Sequence, residues 1–441
     1  MKVPSSLKML ALVLAAVATT YSICAYVIYG PALNQSNDEI NRLREVAEAT
    51  QHPEYIIGIL YPFTGRLDWW SADAVPIIEA AQRDVNKYLL ALNSTARIRF
   101  ITGDSCSTKE GAIDAAIKLI DAGAQIIVGA PTSLEVESIM KATQDAMVPI
   151  ISPASTSSSL SQPDHIYRLS TPENYRARIG AELGVHLGYR RVVAVYREDN
   201  WGPGYSDTVM EVFTSRGLEA YSVSFPVSHP GYMNYTATVA EVEKLVSGDA
   251  TLIYLIAWEN EDYSILNEAQ SSTVLSGARW FTAAMYPSIV DESLVDGRIT
   301  GMRDYAIKLG LLAPEQRPIA SKAATSLMDE AKQRLGRHPS YEHMYMYDAI
   351  MVAARALLRS GGGGELASAI RLVTDDYYGV TGWKTLDGNG DLASEDTAFI
   401  GVHHTSRGYE LSYYAFHYGT WGEFNVLEEP MRRTWFFSPE A

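Results

Sequence analysis

The chain has 441 residues, 47% of them hydrophobic, enough to bury a large core and to build two or three domains. Its 52 acidic against 36 basic side chains give a net charge of -16 with no long basic run, which excludes binding to a phosphate backbone. The two cysteines, Cys24 and Cys106, exclude a disulfide scaffold and a cysteine-built metal site.

Residues 1–8 carry Lys2 and Lys8 and precede an uncharged run over 9–29, long enough to span a bilayer as one helix. Positive charge ahead of the run orients the bulk of the chain outside, at the cell surface or in the periplasm. The same run also reads as a cleaved signal peptide. Ile23 ahead of Cys24 argues against a lipidated cysteine. Residues 30–53 read as a polar stalk, helical over 36–50. Sequons at Asn93 and Asn234 fit an exported protein, though such triplets also arise by chance.

From residue 54 short β-rich runs alternate with helical segments. Strands are predicted at 55–60 (YIIGIL), 97–102, 125–128 and 148–151, with helices at 72–92, 109–122 and 134–145. The pattern then restarts, with helices at 173–187, 204–216, 235–246 and 263–275 and strands at 191–196, 219–225, 252–256 and 279–282. A third region holds helices at 319–335, 341–359 and 365–372, with the glycine run 361–364 as a breaker. Segments 382–385 and 398–404 are predicted to flank a hairpin turn at 387–391 (DGNGD), and 408–421 alternates as strands. The alternation predicts an α/β chain of two doubly wound parallel-sheet lobes joined by a tight crossover near Ser170-Thr171-Pro172.

Catalytic signatures are missing from the sequence. It holds no GxSxG elbow, no HExxH, no GxxxxGK[ST] and no GxGxxG between a strand and a helix. No catalytic residue, cofactor or metal ligand is therefore assigned. The DGNGD stretch reads as a turn and not a calcium loop, because its twelfth position is Ala398 where such a loop needs a bidentate Glu. Hydroxyl groups instead gather past strand ends, in 129–133 (GAPTS) and 152–157 (SPASTS). In open parallel sheets ligands sit outside the carboxyl ends of strands, where helix N-termini offer free N–H groups to an anion. Ser133, Ser155 and Thr156 thus read either as a carboxylate cradle or as helix caps. Trp69-Trp70, Trp201 and Trp258 fall past predicted strand ends in three loops, placed to enclose an apolar or cationic ligand body.

The order and spacing of several motifs over 54–418 resemble the branched-chain amino-acid-binding family of ABC-transporter solute-binding proteins, with the type I periplasmic binding fold. The motifs are 58–65 (GILYPFTG), 103–106 (GDSC), 127–129 (IVG), 148–153 (VPIISP), 167–170 (YRLS), 199–204 (DNWGPG), 347–349 (YDA), 379–382 (GVTG) and 387–391. The resemblance implies lobe 1 from 54–171 plus 299–400, lobe 2 from 172–298 plus 401–430, and a tail at 431–441. It implies hinges near Ser170, 298–302 and 400–403, closing on a solute. By position, Ser133 and Ser155-Thr156 match residues that hold a ligand's carboxylate and amino groups. Trp70, Trp201 and Trp258 match pocket positions that are commonly Tyr. The acidic residue usual after the strand at 280–282 is replaced here by Ala283-Ala284. Either Glu259 substitutes for it, or the ligand lacks a free α-amino group. Thr132 stands where the usual disulfide partner of Cys106 would be.

The expected protein is an extracytoplasmic solute receptor, anchored by its N-terminal helix, that captures an amino acid or related solute for an ABC-transporter permease. A ligand-sensing ectodomain or amide sensor of the same fold is the alternative. An α/β enzyme would need a nucleophile–base pair that the sequence does not display.

Overall fold

The structure, a computed structural model, describes residues 53–432 except 200, 228–233, 249, 285–288, 290–300, 318–320 and 420. The predicted membrane run 9–29, the stalk up to residue 52 and the tail past 432 lie outside the described residues. Among the described residues no helix is long and apolar enough to cross a membrane.

Lobe 1 is built on five parallel strands, β1 (Glu54–Tyr61), β2 (Arg97–Asp104), β3 (Ile126–Gly129), β4 (Ile150–Ser152) and β5 (Ile166–Arg168), in the order β2-β1-β3-β4-β5. The strands are apolar because helices cover both faces. Helix α1 (Asp68–Ala91) covers one face, and α2 (Lys109–Asp121) and α3 (Ser133–Thr143) cover the other.

The chain then crosses to lobe 2 through Leu169–Pro172. There β6 (Arg191–Arg197), β7 (Glu219–Phe225), β8 (Thr251–Ile256) and β9 (Arg279–Thr282) alternate with α4 (Glu173–His186), α5 (Gly202–Thr214), α6 (Thr236–Leu245) and α7 (Glu259–Ala269). Helix α8 (Met302–Leu309) and strand β10 (Leu312–Gln316), which the sequence pattern does not signal, follow in the same lobe. The chain returns to lobe 1 for α9 (Lys322–Leu335), α10 (Met344–Ser360) and α11 (Leu366–Asp375), which join α1 over the first sheet. A ribbon of β11 (Tyr378–Gly379) and β12 (Gly382–Trp383) follows. A last crossing leads to β13 (Thr397–Thr405), β14 (Gly408–Tyr418) and β15 (Glu423–Arg432), which extend the second sheet to the order β15-β14-β13-β10-β9-β8-β6-β7.

Three expectations are corrected here. Residues 302–316 and 397–400 belong to lobe 2, because β10 pairs with both β9 and β13, so the two later crossings fall between Gln316 and Lys322 and between Leu392 and Thr397. The hinges read at 298–302 and 400–403 move accordingly: Met302 opens α8 and 400–403 lies inside β13, while 298–300 is outside the described residues. The DGNGD stretch is a turn, closed from Asp387 N–H to the Asp391 carbonyl at 2.8 Å. Its arms are not the predicted pair, since 382–383 pairs with 378–379 and 398–404 pairs with β14.

The motifs quoted above meet in pairs as scaffold. Thr64 donates its amide and hydroxyl to Asp104 at 3.1 and 2.6 Å, joining the first loop to the end of β2. Buried Asp348 accepts from the Val380 and Thr381 amides, each at 2.9 Å, and from the Tyr377 hydroxyl at 3.1 Å. A Cβ at Gly379 would lie 2.2 Å from the Asp348 carboxylate, so only glycine fits this approach.

Candidate binding cleft

A cavity of about 320 Å³ opens between the lobes at the carboxyl ends of the strands. Lobe 1 contributes Pro153, Ala154 and Thr156 past β4, Ser170 at the crossover, and Ser340–Glu342 with Tyr345 at the start of α10. Lobe 2 contributes Arg176 on α4, Ala283-Ala284 past β9, and Pro314–Gln316 on β10.

The 152–157 loop forms one wall because two hydroxyls fix it from below. Ser152 Oγ donates to the Ala130 carbonyl at 2.8 Å, and Ser155 N–H donates to Ser152 Oγ at 3.3 Å. Ser133 Oγ accepts from the Thr156 and Ser157 amides at 3.2 and 3.1 Å. Gly129 lets the end of β3 lie close against β1: its φ is 125°, and a Cβ there would lie 1.9 Å from the Leu60 carbonyl oxygen. Thr156, the predicted residue that lines the cavity, donates its hydroxyl to Glu173 at 2.7 Å. Burial raises the Glu173 carboxyl above the usual range, and the Thr156 hydrogen bond offsets part of that rise. The Ser155 hydroxyl, 1% exposed, has no hydrogen-bond partner among the described residues. Ser133 is not the helix cap; Thr132 is, sharing a capping box with Glu135.

The tryptophans do not gather on the cavity, although Trp201 and Trp258 do lie just past strand ends. Trp70 belongs to the first turn of α1, not a loop, and its ring meets His343 at 5.6 Å and Tyr61 at 6.3 Å. Trp201 caps α5 and packs edge-on against Tyr205 at 5.6 Å within the lobe 2 core. Trp258 is 59% exposed, with the Arg197 guanidinium 4.3 Å over its ring. None of the three lines the cavity. The side chain of Glu259, which opens α7, lies outside the described residues. Cys106 is an exposed free thiol, and Thr132, where its partner would stand, is occupied with its cap.

The charges that do face the cleft come from positions the sequence pattern did not mark. Arg176 contacts Glu395 at 3.5 Å, and Glu395 also receives the Thr171 and Tyr345 hydroxyls at 2.6 and 3.0 Å. Burial works against the Arg176 charge, but Glu395 and the surrounding acids and phenols outweigh it and hold the guanidinium's pKa up. Strands β9 and β10 pair in parallel at Phe281 and Leu312, so counting along both sets Glu315 beside Ala284. Glu315 and Ala284 both line the cavity, so the neighbouring strand brings a carboxylate to the wall where the usual acid is missing. Glu342 faces it from lobe 1. Crowding by protein raises the Glu342 carboxyl above the ordinary range, against lowering by Ser340, Trp70 and Arg176. Arg176 in the first turn of α4 is the one a helix-start position could have marked; Glu315 lies on β10, which carries no strand signal in the sequence.

Two α/β lobes, one on a parallel sheet and the other on a parallel sheet extended by the antiparallel strands β13–β15, are joined by three crossings and hold a polar cavity at their strand ends; this is the type I periplasmic binding fold. Residues 76–405 match the sequence profile of the receptor family ligand binding region, and the chain belongs to that family. It is 20% identical over 381 residues to an uncharacterized protein of Methanocaldococcus jannaschii, covering 80% of this chain and 88% of that one. A leucine binding protein from Thermotoga maritima superposes with a TM-score of 0.60 at 21% identity, covering 83% of this chain and 99% of that one. A branched-chain amino acid transporter substrate binding protein from Streptococcus pneumoniae, in complex with isoleucine, gives 0.57 at 17% identity, with 82% and 99% covered. These likenesses establish the fold.

Proposed function

We propose that the protein is an extracytoplasmic solute-binding protein that captures an amino acid or related solute between its lobes for an ABC importer. The observation that carries this reading is the charge pattern of the cavity, with Arg176 on one side and Glu315 and Glu342 on the others. A guanidinium suits a ligand carboxylate, and two carboxylates suit an ammonium. The structural relatives named for leucine and isoleucine support the same class of solute. The cleft therefore favours a ligand that keeps its amino group. The uncharged run 9–29 behind Lys2 and Lys8 supports a membrane-anchored or exported protein, handing its solute to a permease.

A thermal-shift screen of amino acids, amides and quaternary amines tests the reading. An amino acid should raise the midpoint in proportion to the logarithm of its concentration. A panel without any shift would count against it. With a ligand in hand, Glu315→Gln should lose a charged hydrogen bond of about 1.5–3 kcal/mol, roughly ten- to hundredfold in Kd. Unchanged affinity by calorimetry would remove Glu315 from the site.

Ser133, Ser155, Trp201 and Trp258 remain proposed contributors, Ser133 through the loop it braces and Trp258 through closure of the lobes. Trp258→Ala should weaken the solute severalfold while moving stability by no more than about 1 kcal/mol, the scale of an exposed cation–π contact. Arg197 keeps Asp199 at 2.6 Å and Glu261 at 2.8 Å without it. A fall in the unfolding midpoint with unchanged affinity would make Trp258 structural.

A further inference from the structure

A second cavity, of about 300 Å³, lies across the crossings, and Tyr345 borders both it and the cleft. Its walls come from three places: Tyr378 and Trp383 of the lobe 1 ribbon, Tyr418 and Trp421 of lobe 2, and the crossing residues Arg317 and Asp396. Tyr378, Trp383 and Trp421 are 52%, 49% and 72% exposed. Single exposed aromatics need no explanation, but three around one cavity form a cluster. They are arranged in pairs, Tyr378 edge-on to Trp383 at 5.3 Å and Tyr418 against Trp421 at 5.7 Å.

The polar groups set the ligand's charge. Arg317 faces Asp396 at 3.5 Å and lies over the Phe416 and Tyr418 rings at 4.7 and 5.1 Å. Glu395, at the boundary with the cleft, already holds Thr171, Tyr345 and Arg176. A cationic ligand would meet Arg317 on the ring it wants, and an anionic one would meet Asp396 and Glu395. A neutral ligand meets neither penalty. It needs an apolar face for the indoles and groups that both donate to carboxylates and accept from a guanidinium. A sugar ring has that pairing, C–H faces above and below with hydroxyls around its edge.

We propose that this hinge-side cavity is a second ligand site, distinct from the cleft, that takes a neutral saccharide. Trp383 and Trp421 stack on the ring faces while Arg317 and Asp396 bind its hydroxyls. Because the walls belong to both lobes, an occupant contacts both and its affinity depends on their angle.

The test titrates the full chain with glucose, maltose and N-acetylglucosamine, with choline and benzoate as charged comparators, by tryptophan fluorescence and saturation-transfer NMR. One of the sugars should saturate at millimolar concentration. Trp383→Ala and Trp421→Ala should each weaken it about tenfold, the size of an aromatic contact plus its geometry, while leaving the unfolding midpoint in place. Sugar binding that survives both substitutions would overturn the site. Saturation by choline or benzoate that the two substitutions weaken would overturn the neutral ligand, and no saturation by any sugar would overturn the proposal. Amino-acid binding that persists in both substituted proteins separates this site from the cleft, since neither tryptophan lines the cleft.

Discussion

Asp391→Ala should destabilise the protein by about 3–5 kcal/mol, because it strands a buried arginine. Arg168 is 0% exposed and Asp391 2%, and they meet in a two-point pair, Nε to Oδ1 at 2.5 Å and Nη2 to Oδ2 at 2.7 Å. The guanidinium also donates to the Ser157 carbonyl at 2.7 Å and the Ser161 hydroxyl at 2.8 Å. Backbone bonds run beside the pair, Arg168 N–H to the Gly390 carbonyl and Leu392 N–H to the Arg168 carbonyl, each at 2.9 Å. The first crossing is thereby tied to the approach of the third, and the 152–157 wall of the cleft is tied to both. Denaturant unfolding reads the effect through the midpoint. Replacing both partners, as in Arg168→Met with Asp391→Leu, should recover much of the loss, since the cost lies in the uncompensated charge. A single substitution costing under about 1 kcal/mol would mean that solvent reaches the guanidinium.

That pair shows what the sequence displayed and what it concealed. YRLS and DGNGD were legible as motifs, each with a local meaning, a crossover and a turn. Their contact spans 223 positions, and no local pattern encodes it. Strands were readable both in the buried middle of the sheet and at its edge: 279–282 and 219–225 carry the predicted bounds in β9, largely buried, and in β7, an edge strand with alternating exposure. β10 was not, because LAPEQ contains Pro314 and ends polar, and it pairs with β9 at Leu312 alone. Missing it moved the lobe boundary and hid Glu315. The same local limit governs the site. Thr156 was visible from a hydroxyl cluster past a strand, whereas Arg176, Glu315 and Glu342 are single charged residues on three separate elements. Charged residues ordinarily read as solvated surface, and only the packing of α4, β10 and the 341–343 turn aims these three into one cavity.

Acid should unfold the protein earlier than its carboxylates alone would require, and His343 is the reason. The ring is 1% exposed, packs on Trp70, and has Tyr61 Oη 3.4 Å from Nδ1 as its hydrogen-bond partner among the described residues. Burial lowers its pKa to about 4, with Arg337 adding to the fall and Asp73 opposing it. In the unfolded chain the ring takes its proton near pH 6.5. Between those values the unfolded state binds the extra proton, so stability is full above pH 6.5 and declines as pH falls toward 4. The difference amounts to about 3 kcal/mol. The neighbouring Glu342 acts in the opposite sense: its raised carboxyl favours the neutral form in the folded state, so mild acid relieves a penalty there. Ligand affinity should nonetheless fall once Glu342 takes up its proton, because a protonated Glu342 no longer attracts an ammonium. His343→Gln keeps an acceptor for Tyr61 and cannot titrate. Its unfolding free energy should be lower than the parent's at pH 7 and should change by about 3 kcal/mol less on going to pH 4. Parallel pH profiles for the two proteins would show that His343 is reached by water in the folded state.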